Sequence, residues 1–330
     1  EINFMRNNLF FSLLMFCFCG CSQNKTETIM QNPEITEKNI VDKLASNVKH
    51  YKKESMYQLL IKSNWCSSEI LVNDIPVYKN FRKPLDGPTQ DINNCIFKSG
   101  SQKVTVRLYP VGNYKDENID KFIPETSMSI VVNEYDKKTD KETEIGKFTT
   151  VKNGLDEDNR PIIVGISKTY YEASFTFEAE VPYEIENFEN ARDLREWDKE
   201  LLEKKLLLEY HKVQAIYQNK EYDNIAKISY NNLNNQFISE YQNRDYINDV
   251  WTMLMDAYKL PSFEMQPIEN YKMVFFADGK LVALMQDSID PRVRGNTSLW
   301  AKFDRGKGIK TLFCNRYFYI PKGETEFKIY

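Results

Sequence analysis

Apolar residues recur along this chain with one of two periods, and the period switches near residue 187. From Tyr57 to about Tyr183 apolar and polar positions alternate, most clearly in Val104-Thr105-Val106-Arg107-Leu108-Tyr109. A period of two buries one face of a strand. It predicts strands at Tyr57–Ser63, Glu69–Val72, Pro76–Asn80, Asn94–Lys98, Gln102–Tyr109, Ser127–Glu134, Glu144–Val151, Ile162–Ser167 and Tyr170–Val181. Asn73-Asp74 and Ser99-Gly100 fall between strands, where tight turns belong. Many short strands at this spacing imply an antiparallel β-sandwich over residues 57–186.

After Asn187 the pattern becomes helical. Leu194, Trp197, Leu201, Leu208 and Ala215 trace one face of a long helix, which Leu202, Leu206 and Val213 widen. Lys199, Glu200, Glu203 and Lys204 mark its wet side. Helices are also predicted at Tyr222–Tyr241 and Arg244–Tyr258, and Pro261 and Pro267 close this block. Strands return at Tyr271–Ala277 and Leu281–Gln286, around the hairpin signal Asp278-Gly279-Lys280, then at Leu299–Asp304, Thr311–Ile320 and Glu326–Tyr330. The fold class is therefore multidomain, β plus α+β: a sandwich over 57–186, then helices followed by an antiparallel sheet over 187–330. Each half is expected to carry its own core, with proteolysis favoured before Asn32 and around Phe188. In element order alone, residues 188–330 resemble cystatin-like or NTF2-like α+β modules, in which a curved sheet wraps a long helix.

Upstream of the strands the chain changes character. Asn32-Pro33 reads as a helix start, and Val41, Leu44, Val48 and Tyr51 continue it to about Lys53. Ser22 to Gln31 is polar and reads as a tether. Met5 reads as the start and Arg6 supplies a positive charge. Leu9 to Phe18 is an apolar run of ten residues. As a helix it spans roughly 15 Å, about half of a hydrocarbon core, which suits a signal peptide better than a membrane span. The run ends in Phe18-Cys19-Gly20-Cys21, which resembles the lipobox of bacterial lipoproteins, departing from it at Phe18, where Leu is usual. The resemblance covers about the first 25 residues. It implies that residues 1–20 are removed, that Cys21 carries diacylglycerol and its new amine a further acyl chain such as palmitate, and that residues 21–56 form a lipid-anchored tether and short helix. Two or three chains anchor stably, since each buried CH₂ contributes ~0.8 kcal/mol. Ser22, in place of the Asp that signals inner-membrane retention, favours the periplasmic face of the outer membrane. In chain order the β-rich half would lie nearest the anchor.

Charge and composition narrow the chemistry. A net charge of −4 gives no electrostatic footprint for nucleic acid. With only two histidines, His50 and His211, a Ser-His-Asp triad or a catalytic zinc site lacks its usual members. His211 is expected to be partly buried on the long helix. Beyond the lipobox the cysteines are Cys66, Cys95 and Cys314, with Cys66–Cys95 a candidate disulfide in an oxidising envelope. Without a Cys/His cluster no metal or cofactor is expected. Ser46-Asn47-Val48-Lys49 has the Ser-x-x-Lys spacing of penicillin-binding enzymes but lacks their companion motifs, and Gly306-Lys307-Gly308 lacks the spacing of a phosphate loop. Asp278, Asp287 and Asp290 are the carboxylates placed for acid–base chemistry, and Trp251, Tyr271 and Trp300 are the candidate binding surface. The function expected is a non-catalytic binding or protective, immunity-type role in the cell envelope. Its partners would be the membrane, through the anchor, and another envelope protein or a toxin. The alternatives are an envelope hydrolase working through carboxylates and a glycan- or ligand-binding lipoprotein.

Overall fold

The computed structural model describes residues 29–330 apart from 83, 151, 156–158, 160 and 164; for 152–154, 161 and 162 it describes the backbone alone. The fold is mixed. Most of it is antiparallel sheet, and among the described residues there are four α-helices, three of them consecutive in the middle of the C-terminal half.

The first helix is α1 (Ile40–Asn47). The helix expected from Asn32 to Lys53 is shorter because residues 33–39 turn first. The Asn39 side chain holds that turn, accepting from Thr36 N (2.8 Å) and donating to Glu34 O (2.9 Å). Ile40, Val41 and Leu44 are buried, and α1 packs on the later helices.

The strands of the first half are β1 (Ser55–Asn64), β2 (Ser67–Val72), β3 (Ile75–Asn80), β4 (Leu85–Asp86), β5 (Thr89–Asp91), β6 (Gly100–Tyr109), β7 (Gly112–Tyr114), β8 (Glu117–Ile119), β9 (Ser127–Asp136), β10 (Lys141–Thr149), β11 (Lys152–Leu155), β12 (Pro161–Ile163) and β13 (Tyr171–Ala179). One sheet runs β10-β9-β1-β4, with β5 also on β1, and another runs β13-β6-β2-β3. Alternation decides which side chains are buried. Leu59 and Ile61 of β1, Ile130 and Val132 of β9, and Val104, Val106 and Leu108 of β6 all enter one core. Burial of each such side chain contributes about 1.5–3 kcal/mol. The strand expected at Asn94–Lys98 is instead a 3₁₀ turn, Asn93–Cys95. Asn93, 1% exposed, causes this. Its side chain accepts from Tyr57 N (2.6 Å) and donates to Ser55 O (2.9 Å) and Ser239 O (2.8 Å), so the backbone there turns to serve the amide.

The second half holds α2 (Lys199–Gln218), α3 (Tyr222–Ser239) and α4 (Arg244–Tyr258). Asp198 and Asn243 cap α2 and α4, accepting from Leu201 N (2.8 Å) and Tyr246 N (2.9 Å). The buried seam of α2 is Leu202, Leu206, Tyr210, Val213 and Tyr217. This corrects the leucine-based expectation: Leu201 and Leu208 are 62% and 61% exposed. The tyrosines win the inner face because their hydroxyls are bonded there. Tyr210 OH donates to Arg316 O (2.8 Å) and accepts from Leu284 N (3.0 Å).

The remaining strands are β14 (Glu264–Met265), β15 (Tyr271–Phe276), β16 (Leu281–Gln286), β17 (Trp300–Asp304), β18 (Ile309–Phe313), β19 (Phe318–Tyr319) and β20 (Lys328–Ile329). They form sheets β14-β17-β18 and β15-β16-β19-β20. The single strand expected over Thr311–Ile320 is broken between β18 and β19. There the Arg316 guanidinium reaches Tyr217 OH (2.5 Å) and Ser229 Oγ (2.8 Å) on the helices.

Among the described residues, no strand of one half pairs with a strand of the other. The cores nevertheless meet. Tyr241, Phe276, Leu281, Met285, Tyr319 and Tyr330 join the apolar cluster of the first half. Phe188 is buried where they meet, its ring 5.7 Å from Phe97, 5.4 Å from Tyr319 and 4.9 Å from Tyr330. Phe188, around which proteolysis is expected, is itself buried, whereas Glu189 and Asn190 beside it are exposed.

Candidate functional site

Gln31 and Asn32 are held to the C-terminal half at a fixed point. Asn32 takes a left-handed backbone (φ 50°), and its amide donates to Lys227 O and to Asn231 Oδ1, each at 2.9 Å, both on α3. Gln31 adds a reciprocal pair on β20, donating to Ile329 O (2.7 Å) and accepting from Ile329 N (2.9 Å). A cleft of about 440 Å³ opens beside this clamp, lined by Met30, Glu186, Glu209, Tyr319 and Phe327 among others. Its carboxylates already have partners: Tyr319 OH donates to Glu186 (2.8 Å), and Glu209 pairs with Lys212 (3.1 Å).

A second cleft, of about 380 Å³, lies where hairpin turns from the two halves meet. Ala277 N donates to Asp74 O (3.1 Å), and Asp278 N donates to the Asp74 carboxylate (2.9 Å). Burial raises the Asp74 carboxyl above the usual range; the bond from Asp278 N opposes this, and the Asp278 charge adds to it. Lys98 pairs with Glu189 at the rim (2.6 Å).

The acids singled out in the sequence are distributed among separate contacts. Asp278 docks the hairpin tip, Asp287 pairs with Lys272 (3.3 Å), and Asp290 pairs with Arg292 (2.7 Å). His50 lies 2.9 Å from Glu54, whereas His211 is exposed on α2 and not part-buried, a consequence of the tyrosine seam. Asp304 Oδ1 accepts from the backbone N–H of Gly306, Lys307 and Gly308 (2.7, 3.1 and 3.1 Å), so the protein's own carboxylate occupies the nest that a phosphate would need. Among the described residues no group of three His, Cys, Asp or Glu is placed to hold a metal ion, and no helix is long and apolar enough to cross a membrane.

The three aromatics of the expected surface are separated. Trp251, 5% exposed, belongs to the helical core and cannot touch a partner while the fold is intact. Tyr271 is half-buried on β15. Trp300 is half-buried on β17, stacked on Phe313 of β18 at 6.3 Å, with Lys302 Nζ 5.4 Å from its ring. Cys21 lies outside the described residues. Cys66 and Cys95 are free, buried thiols, and the structure does not bridge them. They sit at opposite ends of β2: Cys66 precedes it, and Cys95 O accepts from Asn73, just past its other end (2.8 Å). Seven residues of extended chain separate them by on the order of 20 Å, far beyond disulfide reach. Burial pushes these thiols, and that of Cys314, up to about 12.

Sequence reasoning missed one cluster altogether. Arg294 stacks its guanidinium on two rings of the first half, 4.1 Å from the centroid of Phe81 and 4.6 Å from that of Tyr109. Tyr109 OH in turn donates to Glu69 (2.9 Å). Beside them Lys79 Nζ donates to Gly295 O (2.7 Å) and to Asn296 Oδ1. No local pattern announces a contact between segments more than 200 positions apart.

No protein-family model, no curated protein and no solved structure matches this chain.

Proposed function

We propose that this protein is a lipid-anchored component of the bacterial cell envelope, held through Cys21 on the periplasmic face of the outer membrane, with a non-catalytic binding or protective role. The observation that carries the reading is the clamp at Gln31 and Asn32. The tether would deliver its load to α3 and β20, inside the C-terminal half, and not to a loose end of the β-rich half. On this reading the order differs from that expected along the chain. The C-terminal half stands next to the anchor, and the β-rich half stands farther from the membrane. Two sheets that feed one core support reading residues 57–186 as an antiparallel β-sandwich, and three helices with two antiparallel sheets support reading 187–330 as an α+β unit.

Of the three aromatics, Trp300 is retained as the binding group. With Phe313 and Lys302 it offers an aromatic and cationic face on the β17–β18 hairpin. The partner is an envelope protein or an incoming toxin. Detergent-solubilised mature protein, pulled down from its own envelope, tests the role. Trp300→Ala should lose the captured partner and leave the circular-dichroism melt unchanged. Turnover of peptidoglycan or ester substrates by the wild type, abolished by Asp287→Asn or Asp290→Asn, would replace the binding role with hydrolysis.

A further inference from the structure

Three consecutive residues of the loop before β17 dock against β3. Arg294 is fixed between Phe81 and Tyr109. Gly295 has a left-handed backbone (φ +73°), and a Cβ there would lie 2.8 Å from Lys79 Cδ and 3.3 Å from Glu69 Oε1. Glycine is what lets this segment approach the lysine so closely. Asn296 is 7% exposed, and its amide oxygen accepts from Lys79 Nζ. Its Nδ2 donates to Val293 O (3.1 Å), which fixes the amide's orientation. Glu69 is the direct antiparallel neighbour of Lys79, and its Oε2 accepts from Tyr109 OH (2.9 Å). An amine and a carboxamide therefore meet in one largely buried place, with the Glu69 carboxylate close by at the paired strand position.

We infer that Lys79 and Asn296 become joined by an intramolecular isopeptide bond, with Glu69 as the proton carrier. A nitrogen hydrogen-bonded to an amide oxygen lies about 3–4 Å from the amide carbon, so a small rotation of the lysine side chain brings its lone pair onto that carbon. The amine must first lose its proton. Burial pushes Lys79 down to about 8, because its partners are neutral oxygens and the Glu69 charge compensates only partly. Turning from Tyr109 toward Nζ, the carboxylate of Glu69 takes its proton. The free amine adds to Cγ of Asn296, forming the Nζ–Cγ bond. Glu69 gives that proton to Nδ2, the Cγ–Nδ2 bond breaks, and the departing ammonia takes up the second proton that Nζ sheds on becoming an amide nitrogen, leaving as ammonium. Lysine ammonium and carboxamide become a secondary amide and an ammonium ion, so atoms and charge balance without an oxidant or co-reactant. The product would tie the two halves covalently across 217 positions, a link suited to a protein exposed to proteases and to pulling on its anchor.

Peptide mapping of the full-length wild-type protein decides this directly. A branched peptide containing both residues 79 and 296, one ammonia lighter than the sum of its two linear parts, is expected. It should be absent from Lys79→Arg and from Asn296→Ala. Glu69→Gln should slow its formation about a hundredfold, the usual range for loss of a positioned acid–base group. Wild-type protein that yields only linear peptides covering Lys79 and Asn296 would overturn the proposal, whatever the variants do. Wild-type yield in Glu69→Gln would remove Glu69 from the mechanism.

Discussion

The two halves each bury a strongly polar side chain, with opposite results. In the β-rich half, Asn93 offers two donors and an acceptor, and Tyr57 N, Ser55 O and Ser239 O meet them at 2.6–2.9 Å. In the helical half, Arg316 bonds Tyr217, Ser229 and Asn315 O, but its Nε has no partner. A neutral amide that completes three backbone groups adds to stability. A guanidinium left incomplete fixes the local geometry and adds little. Asn93 also reaches across to the end of α3, so it supports the junction as well as its own half.

The largest effect tests that junction. Phe188→Ala removes the ring shared by Phe97, Tyr319 and Tyr330. It should cost about 3–5 kcal/mol and lower a single calorimetric transition. Two separated transitions in the wild type would show that the halves do not cooperate. Next is Asn93→Ala, which strands three buried backbone groups and should cost about 3 kcal/mol by urea denaturation. Arg316→Met sharpens the contrast: replacing an incompletely satisfied ion with an apolar chain of similar length should change stability by about 1 kcal/mol or less. A loss as large as that of Asn93→Ala would erase the difference between the two polar insertions.

Smaller effects follow from titration. Burial opposes the charge of Glu54, but hydrogen bonds from His50, Lys138 and Tyr51 N together hold its carboxyl below the usual range. Its contribution is present above the unfolded value near ~4.3 and is lost as the pH falls through the folded value. Glu240 has the opposite sign. Burial raises its carboxyl, so its contribution is present at low pH and is lost as the pH rises through the folded value. At neutral pH, Glu54→Gln should therefore lower the urea midpoint and Glu240→Gln should raise it. Shifts of the same sign would contradict the assignment.

The sequence displays local periods and hides distant meetings. The bounds of α4 and β16 were readable in full, because a capping Asn243 and a hairpin signal frame apolar patterns that match their burial. The seam of α2 was readable only in part: Leu202, Leu206 and Val213 lie on it as expected, but a leucine count cannot register that Tyr210 and Tyr217 find hydroxyl partners more than 70 residues away. The Asn93 turn and the break at Arg316 share that cause: each side chain outbids a local strand pattern through contacts set only by the folded topology. Cys66 and Cys95 show the converse error, since a plausible spacing carries no information about the two ends of an intervening strand. At the candidate site, Trp300 was visible as an aromatic to be accounted for, whereas Lys79, Glu69 and Asn296 became a constellation only on folding.

The proposed envelope role depends most on lipid attachment at Cys21, ten residues before the Gln31 and Asn32 clamp on the C-terminal half. Metabolic labelling with a palmitate analogue, followed by membrane fractionation, measures it. Wild-type protein should carry the label and sediment with the membrane, and Cys21→Ser should be unlabelled and released. Equal labelling of the two, or a wild type that is unlabelled and soluble, would contradict it.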